Sequence, residues 1–157
     1  MRVLFLHGLE SDPHGAKFTA LDKIHETVAP DMRGLGLVER VALAKVTIEA
    51  EMPDIVVGSS YGGLTAVLAT MAAEFKPKGI VLLAPSLKRA EAPSIGSLRA
   101  VASTIVIHDK EDDVVPFEAG SEYAANTGSK LVMAHGGHRL RDPESLGLLM
   151  EAVLELA

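Results

Sequence analysis

The sequence predicts an α/β fold, a three-layer sandwich in which helices cover both faces of a parallel sheet of about six strands. The first observation is that its apolar runs are unbroken rather than alternating, which is typical of strands buried on both faces. The second is that these runs alternate along the chain with segments of helical periodicity. Five runs carry the strand pattern strongly: 2–6, 55–59, 79–84, 104–107 and 130–133. A weaker sixth candidate is 28–30, which ends in a proline.

Apolar residues at helical spacing predict the segments between the strands to be helices. They cover five ranges: 16–28, 37–52, 64–75, 116–126 and the segment from 143 onward. Pro53 stops the second helix, and Pro143 opens the last one behind Asp142 as its N-cap. The segment 86–103 is ambiguous, with a weak helix pattern around 98–102. The 157 residues predict one domain, 1–157, without a linker.

Composition argues against several classes of protein. The net charge is −6, and the 15 basic residues are scattered rather than clustered, so a nucleic-acid partner is not expected. Cysteine is absent, which removes disulfides, zinc–thiolate sites and cysteine nucleophiles. The opening apolar run is too short for a signal peptide, and no stretch reaches the roughly 18 apolar residues of a membrane span. We therefore expect a soluble cytoplasmic protein with no membrane partner.

The strand 55–59 leads directly into Ser60, which is flanked by Gly58 and Gly62 in a Gly-x-Ser-x-Gly pattern and followed by a helix. Such a turn crowds the backbone, and a Cβ at either glycine would meet the neighbouring strand or helix. The turn lifts the serine hydroxyl clear of the sheet, at a helix N-terminus that favours negative charge. The pattern predicts a nucleophile, although the same residues could also form only a tight joint between strand and helix.

A serine hydroxyl alone is a poor nucleophile, so its partners must lie at the carboxyl ends of other strands. Three segments qualify: 7–9 after the first strand, 109–113 after the fifth and 135–138 after the last. Together with Ser60, the last two segments give the chain order Ser, Asp and His.

These motifs, Gly58–Gly63 with 7–9, 108–116 and Gly137-His138, resemble the α/β-hydrolase superfamily. More narrowly, 7–17 is similar to the opening of the small, lidless YqiA-type esterases. The resemblance covers almost the full chain, but only these motifs are specific to it. It implies a minimal α/β-hydrolase with strand order 2-1-3-4-5-6 and no cap domain.

The resemblance also implies residue roles. Ser60 is the nucleophile, His138 is the general base and later the general acid, and Asp112 orients the imidazole. The backbone N–H groups of Leu9 and Tyr61 form the oxyanion hole. No cofactor and no metal is required. The expected substrate pocket consists of five side chains: Leu9, Glu10, Tyr61, Leu87 and Val114.

Two assignments keep an alternative. Asp112 fits the superfamily's Asp-x-x-Val-Pro arrangement, but Asp113 stays open as the triad acid. Among the histidines, His138 is favoured over His135, because Gly136 and Gly137 give the chain freedom to swing it over the serine. The remaining histidines are expected to be structural or on the surface: His7, which props the oxyanion loop, His108, His14 and His25.

The predicted function is a serine hydrolase that cleaves a carboxylic ester or thioester of a small or short-chain acyl group, with that small molecule as its partner. The histidines near one sheet edge leave a metal-dependent hydrolase or metal-binding protein as a rival. A nucleotide-binding loop is a weaker one, because the spacing from Gly8 to Lys17 does not fit a P-loop. A non-catalytic partner-binding module is the third, since fold does not determine function.

Overall fold

The computed structural model describes residues 1–157 and contains one six-stranded sheet in which every pairing is parallel. The strands are β1 (Arg2–Leu6), β2 (Glu26–Val28), β3 (Ile55–Ser59), β4 (Gly79–Leu83), β5 (Ser103–Asp109) and β6 (Lys130–Ala134). Their order across the sheet is β2-β1-β3-β4-β5-β6. The predicted fold class and strand order are thereby confirmed.

The strand register brings the carboxyl ends of the central strands together. Leu6, the last residue of β1, pairs with Gly58 in β3, and Ser59 at the end of β3 pairs with Leu83 at the end of β4. The segments that follow β1, β3 and β4 therefore leave the sheet side by side. Parallel sheets place their functional residues at this edge.

Five α-helices cover the two faces of the sheet: α1 (Ala16–Asp22), α2 (Leu37–Glu51), α3 (Tyr61–Ala72), α4 (Phe117–Thr127) and α5 (Pro143–Leu156). One hydrophobic core of 21 buried residues joins α2, α3 and α4 to one face. A second core of 15 buried residues joins α1 and α5 to the other. None of the helices has both the length and the apolar character that a membrane span requires.

Two predicted elements differ from the structure. The first helix ends at Asp22 instead of continuing to Val28, because Glu26–Val28 pairs with β1 as an edge strand. The weak helix at 98–102 is wrong, and the segment instead contains a short 3₁₀ turn at Ile95–Ser97. Leu98 is buried in the first core while its neighbours pack only partly, so the apolar residues do not form one helical face.

Gly62 lies where α3 crosses β1 closely, and its replacement by alanine is expected to destabilise the protein by about 3 kcal/mol. The added Cβ would lie 2.6 Å from the carbonyl carbon of Leu6, which is backbone and cannot move aside. Gly147→Ala is the matched control, since that helical glycine has no atom within 4 Å of a Cβ and should gain about 0.5–1 kcal/mol. Urea unfolding of both variants measures the two changes, and equal stability would contradict the close approach.

Candidate active site

Ser60 lies at a sharp turn between β3 and α3, with φ 56° and ψ −118°. A positive φ is uncommon for a residue with a side chain, so the surrounding packing must impose it. A Cβ on Gly58 would lie 2.8 Å from the Ala66 side chain, which shows how closely α3 packs on the strand. The two flanking glycines thus allow the turn, and the serine side chain stands at the sheet edge.

Two hydrogen bonds connect the side chain of Ser60 through His138 to Asp112. Its Oγ lies 3.1 Å from Nε2 of His138, and Nδ1 of the same ring lies 2.9 Å from Oδ2 of Asp112. An ionised carboxylate only accepts hydrogen bonds, so Nδ1 carries the proton and Nε2 is left free to accept from the serine. The Asp112 carboxylate is fully buried, whereas the imidazole is 18% exposed. The arrangement can therefore move a proton from the hydroxyl to the ring.

The Asp112 carboxylate is held by four donors. Oδ1 accepts the N–H groups of Val114 and Val115 at 2.8 Å each, and Oδ2 accepts from Nε2 of His108 at 3.1 Å as well as from His138. Burial acts to raise the pKa of Asp112, but the hydrogen bond from His138 and those from the two backbone N–H groups outweigh it and leave the pKa below its ordinary value. The carboxylate that accepts from the imidazole is therefore ionised at neutral pH.

The structure distinguishes among the candidates for the acid and the base. Asp113 and His135 are exposed, and neither side chain forms a hydrogen bond with the serine or with the imidazole of His138. His14 is also exposed, and His25 is half-buried away from the sheet edge. No three His, Asp or Glu side chains are grouped so that they could hold a metal ion.

Of the two predicted oxyanion-hole residues, Tyr61 follows Ser60 in the chain, and Leu9 follows Gly8, which adjoins the serine. Leu9 N–H has no acceptor within the chain, and Tyr61 N–H opens α3, where helical geometry provides no acceptor. Gly8 is adjacent to the serine, since a Cβ built on it would lie 3.5 Å from that of Ser60. The arrangement leaves both donors available to a ligand oxygen.

Ser60 and His138 open into a cleft of about 1070 Å³. Four of the five predicted pocket residues line it: Leu9, Glu10, Tyr61 and Val114. Leu87 requires correction, because it is completely buried in the first core and does not line the cleft. Most of the lining is polar, with four basic side chains, Lys17, Arg89, Arg139 and Arg141.

Sequence reasoning missed three residues of the site. Ser86 follows β4, and its Oγ lies 3.2 Å from that of Ser60. Arg40 of α2 is completely buried and donates to the carbonyls that follow β1. Asp109 ends β5 and contacts the loop that carries His138. A signal existed for Arg40, because the buried Ala44 and Ile48 follow it at i+4 and i+8, on the same face of α2.

Asp109 joins the acid loop to the histidine loop. Its Oδ2 accepts the N–H of Gly137 at 2.8 Å, and its Oδ1 accepts the N–H of Glu111 at 2.9 Å. The carboxylate is almost completely buried. It thereby links the backbone on both sides of the Asp112–His138 hydrogen bond.

Asp109→Ala is expected to lower kcat by about tenfold for any reaction that uses Ser60 and His138, because a loosened His138 loop misplaces the imidazole. The unpaired N–H groups should also cost about 1–3 kcal/mol of stability. Steady-state kinetics and urea unfolding measure the two effects. Lys110→Ala, next to it on an exposed turn, is the control. Unchanged kinetics in Asp109→Ala would contradict the link.

One family model and several solved structures match this chain. A model of the alpha/beta hydrolase family matches residues 3–105. A protein assigned to the α/β superfamily of hydrolases from Xanthomonas campestris pv. campestris has a TM-score of 0.83 and 22% identity, covering 99% of this chain and 95% of that one. Mouse alpha/beta hydrolase domain-containing protein 10 has a TM-score of 0.80 and 17% identity, covering 99% and 88%.

A third solved structure is a meta-cleavage product hydrolase from Pseudomonas fluorescens IP01, with a TM-score of 0.78 and 17% identity, covering 100% of this chain and 92% of that one. At these identities the likeness concerns the fold. No curated protein matches the sequence.

Proposed function

Since the chain belongs to the alpha/beta hydrolase family, we propose that it is a serine hydrolase that cleaves a carboxylic ester or thioester through an acyl-Ser60 intermediate. The observation that carries the proposal is the hydrogen-bonded series from Ser60 through His138 to Asp112, at 3.1 and 2.9 Å. A hydroxyl, an imidazole and a buried carboxylate in this order are what acyl transfer requires.

In the proposed reaction, Ser60 Oγ attacks the acyl carbon while its proton passes to Nε2 of His138. Asp112 stabilises the imidazolium that forms, and the N–H groups of Leu9 and Tyr61 donate to the oxyanion. His138 then returns the proton to the leaving oxygen or sulfur as its bond to the acyl carbon breaks. Water attacks the acyl-serine with His138 again as base, which releases the acid and restores the serine.

The openness of the cleft favours a small or short-chain acyl group. The 86–102 segment that follows β4 is too short to form a cap over it. In an open cleft a long acyl chain would leave much of its apolar surface in water. In this proposal residues 1–157 act as one domain, with a small-molecule ester or thioester as its partner.

The acyl preference gives a measurable expectation. With p-nitrophenyl esters, kcat/KM should be about tenfold or more higher for acetate or butyrate than for a chain of twelve or more carbons. Matched alkyl thioesters, followed by thiol release, extend the same series to the other leaving group. Equal kcat/KM across the series would contradict a preference for short-chain acyl groups.

The proposed function is tested by labelling and turnover on the same preparation. A fluorophosphonate should label the protein stoichiometrically at Ser60 and stop hydrolysis of p-nitrophenyl acetate in proportion. Hydrolysis that a chelator abolishes and the fluorophosphonate leaves intact would instead favour a metal-dependent hydrolase. Neither labelling nor turnover on esters and thioesters would favour a non-catalytic partner-binding module.

A further inference from the structure

The side chain of Arg40 is completely buried without a carboxylate partner. Its Nη1 donates to the carbonyl of His7 at 2.8 Å and its Nη2 to the carbonyl of Gly8 at 3.0 Å. Its Cζ lies 5.1 Å from the centroid of the Tyr61 ring, and its Nε is buried without an acceptor. A buried cation without a carboxylate partner is costly, and an apolar side chain of similar volume is often at least as stabilising. The arginine therefore calls for a reason beyond packing.

The carbonyl of Gly8 is held by more donors than a backbone oxygen usually has. Besides Arg40, it accepts from Nδ1 of His7 at 2.8 Å and from the hydroxyl of Ser11 at 3.3 Å. Nε2 of His7 accepts the N–H of Met32 at 2.8 Å, so the proton of the neutral ring is on Nδ1. Burial lowers the pKa of His7, which favours this neutral form. With three donors on one oxygen, this carbonyl has a fixed direction.

That direction determines where the next N–H points. In a trans peptide the C=O and the N–H lie on opposite sides, so the carbonyl of Gly8 and the N–H of Leu9 point away from each other. Glycine gives this peptide freedom to rotate, and the three donors on its oxygen oppose a flip. The Leu9 N–H itself has no acceptor within the chain. Arg40 thus acts on the backbone group that the proposed reaction uses as an oxyanion donor.

We propose that Arg40 is a positioning residue for acyl transfer, which fixes the Gly8–Leu9 peptide so that the Leu9 N–H stays directed at the oxyanion. The inference rests on the proposed serine-hydrolase function and extends it to a residue that does not touch the substrate. The guanidinium also sets an uncompensated positive charge behind the oxyanion loop, which favours negative charge there. Its hydrogen bonds, which orient the peptide, and its charge, which attracts the oxyanion, contribute separately to stabilisation of the oxyanion.

Two variants separate those contributions. Arg40→Met removes both, whereas Arg40→Lys keeps a charge but cannot bridge two carbonyls with a planar fork. With active sites counted by fluorophosphonate, Arg40→Met is expected to lose about 10²-fold in kcat for p-nitrophenyl acetate, with KM changed less than about threefold. Arg40→Lys should recover part of the loss. Lys45→Met, on the exposed face of the same helix, is the control for removing a cation from α2.

A tetrahedral adduct gives a readout that a structural role does not affect. A trifluoromethyl ketone should form a hemiketal with Ser60, and its ionisation, followed by ¹⁹F NMR over pH, reports on the oxyanion donors directly. In Arg40→Met the hemiketal should ionise about tenfold less favourably, and the inhibitor should lose affinity in parallel with kcat/KM.

The outcomes differ for the two proposals. Activity per active site within about threefold of the unsubstituted protein, or an unchanged hemiketal ionisation, would overturn the role of Arg40 and leave the proposed function intact. If both Arg40 variants fail to fold while Lys45→Met folds, Arg40 serves stability alone and the proposal is likewise overturned. Absence of labelling and turnover in the unsubstituted protein would contradict the proposed function, and the role of Arg40 with it.

Discussion

Ser60→Ala is expected to lower kcat for hydrolysis of p-nitrophenyl acetate by about 10⁴-fold or more. The substitution removes the atom that attacks the acyl carbon, and the oxyanion donors and the cleft alone supply only a small residual rate. The protein should stay folded, because the hydroxyl contacts only His138 and Ser86 at 3.1 and 3.2 Å. Steady-state kinetics with urea unfolding on the same samples measures both quantities.

Ser121→Ala is the matched control for this change, because that serine lies on α4 and makes no side-chain hydrogen bond. It should leave both kinetics and stability unchanged. Ester hydrolysis that survives in Ser60→Ala at more than a tenth of its original rate would contradict a serine nucleophile at this position.

The second large effect is expected for Asp112→Asn, with a loss in kcat of about 10⁴-fold. An amide can present an N–H to Nδ1 of His138, which favours the ring tautomer whose Nε2 carries the proton and cannot accept from Ser60. Asp113→Asn is the comparison, since Asp113 is exposed and does not contact the imidazole. If Asp113→Asn lost more activity than Asp112→Asn, the acid would have to be reassigned.

Asp112 should also contribute to stability in a pH-dependent way. Its pKa in the folded protein lies below its ordinary value of 3.8, so the unfolded chain binds the proton more tightly. The stabilisation is therefore fully present above about pH 5 and is lost as the pH falls through the folded pKa. The difference in free energy of unfolding between the original protein and Asp112→Asn should shrink between about pH 5 and pH 3. A difference that grows on acidification would contradict this sign.

Much of the fold could be predicted because it depends on patterns that the chain carries locally. Short apolar runs such as the one that opens Ile55–Ser59 are typical of strands covered on both faces, and the helices that alternate with them indicate a parallel sheet. The Gly-x-Ser-x-Gly turn follows from sterics at two glycines. The edge strand Glu26–Val28 was harder to locate, because its pairing with β1 is tertiary and its side chains are only half-buried or exposed.

Two of the residues that sequence reasoning missed, Arg40 and Asp109, act through backbone groups, which leave no motif. The spacing of Arg40 with Ala44 and Ile48 places it on the buried face of α2, but its two carbonyl acceptors are defined only once α2 packs against the loop after β1. Asp109 belongs to an acidic stretch, and no sequence pattern shows that its carboxylate accepts the N–H of Gly137. Leu87 follows β4 beside the serine turn, but its side chain turns into the core instead of the cleft. The contacts of these three side chains depend on how segments that are distant in the sequence pack together.

The central claim is that Ser60 carries the acyl group during turnover. Acid quenching of the protein during the first turnover of p-nitrophenyl acetate, followed by peptide mass analysis, tests it most directly. We predict one added acetyl group on the peptide that contains Ser60, and none in Ser60→Ala. Rapid hydrolysis with no acetyl group on that peptide at any quench time, or an acetyl group on another residue, would contradict the account.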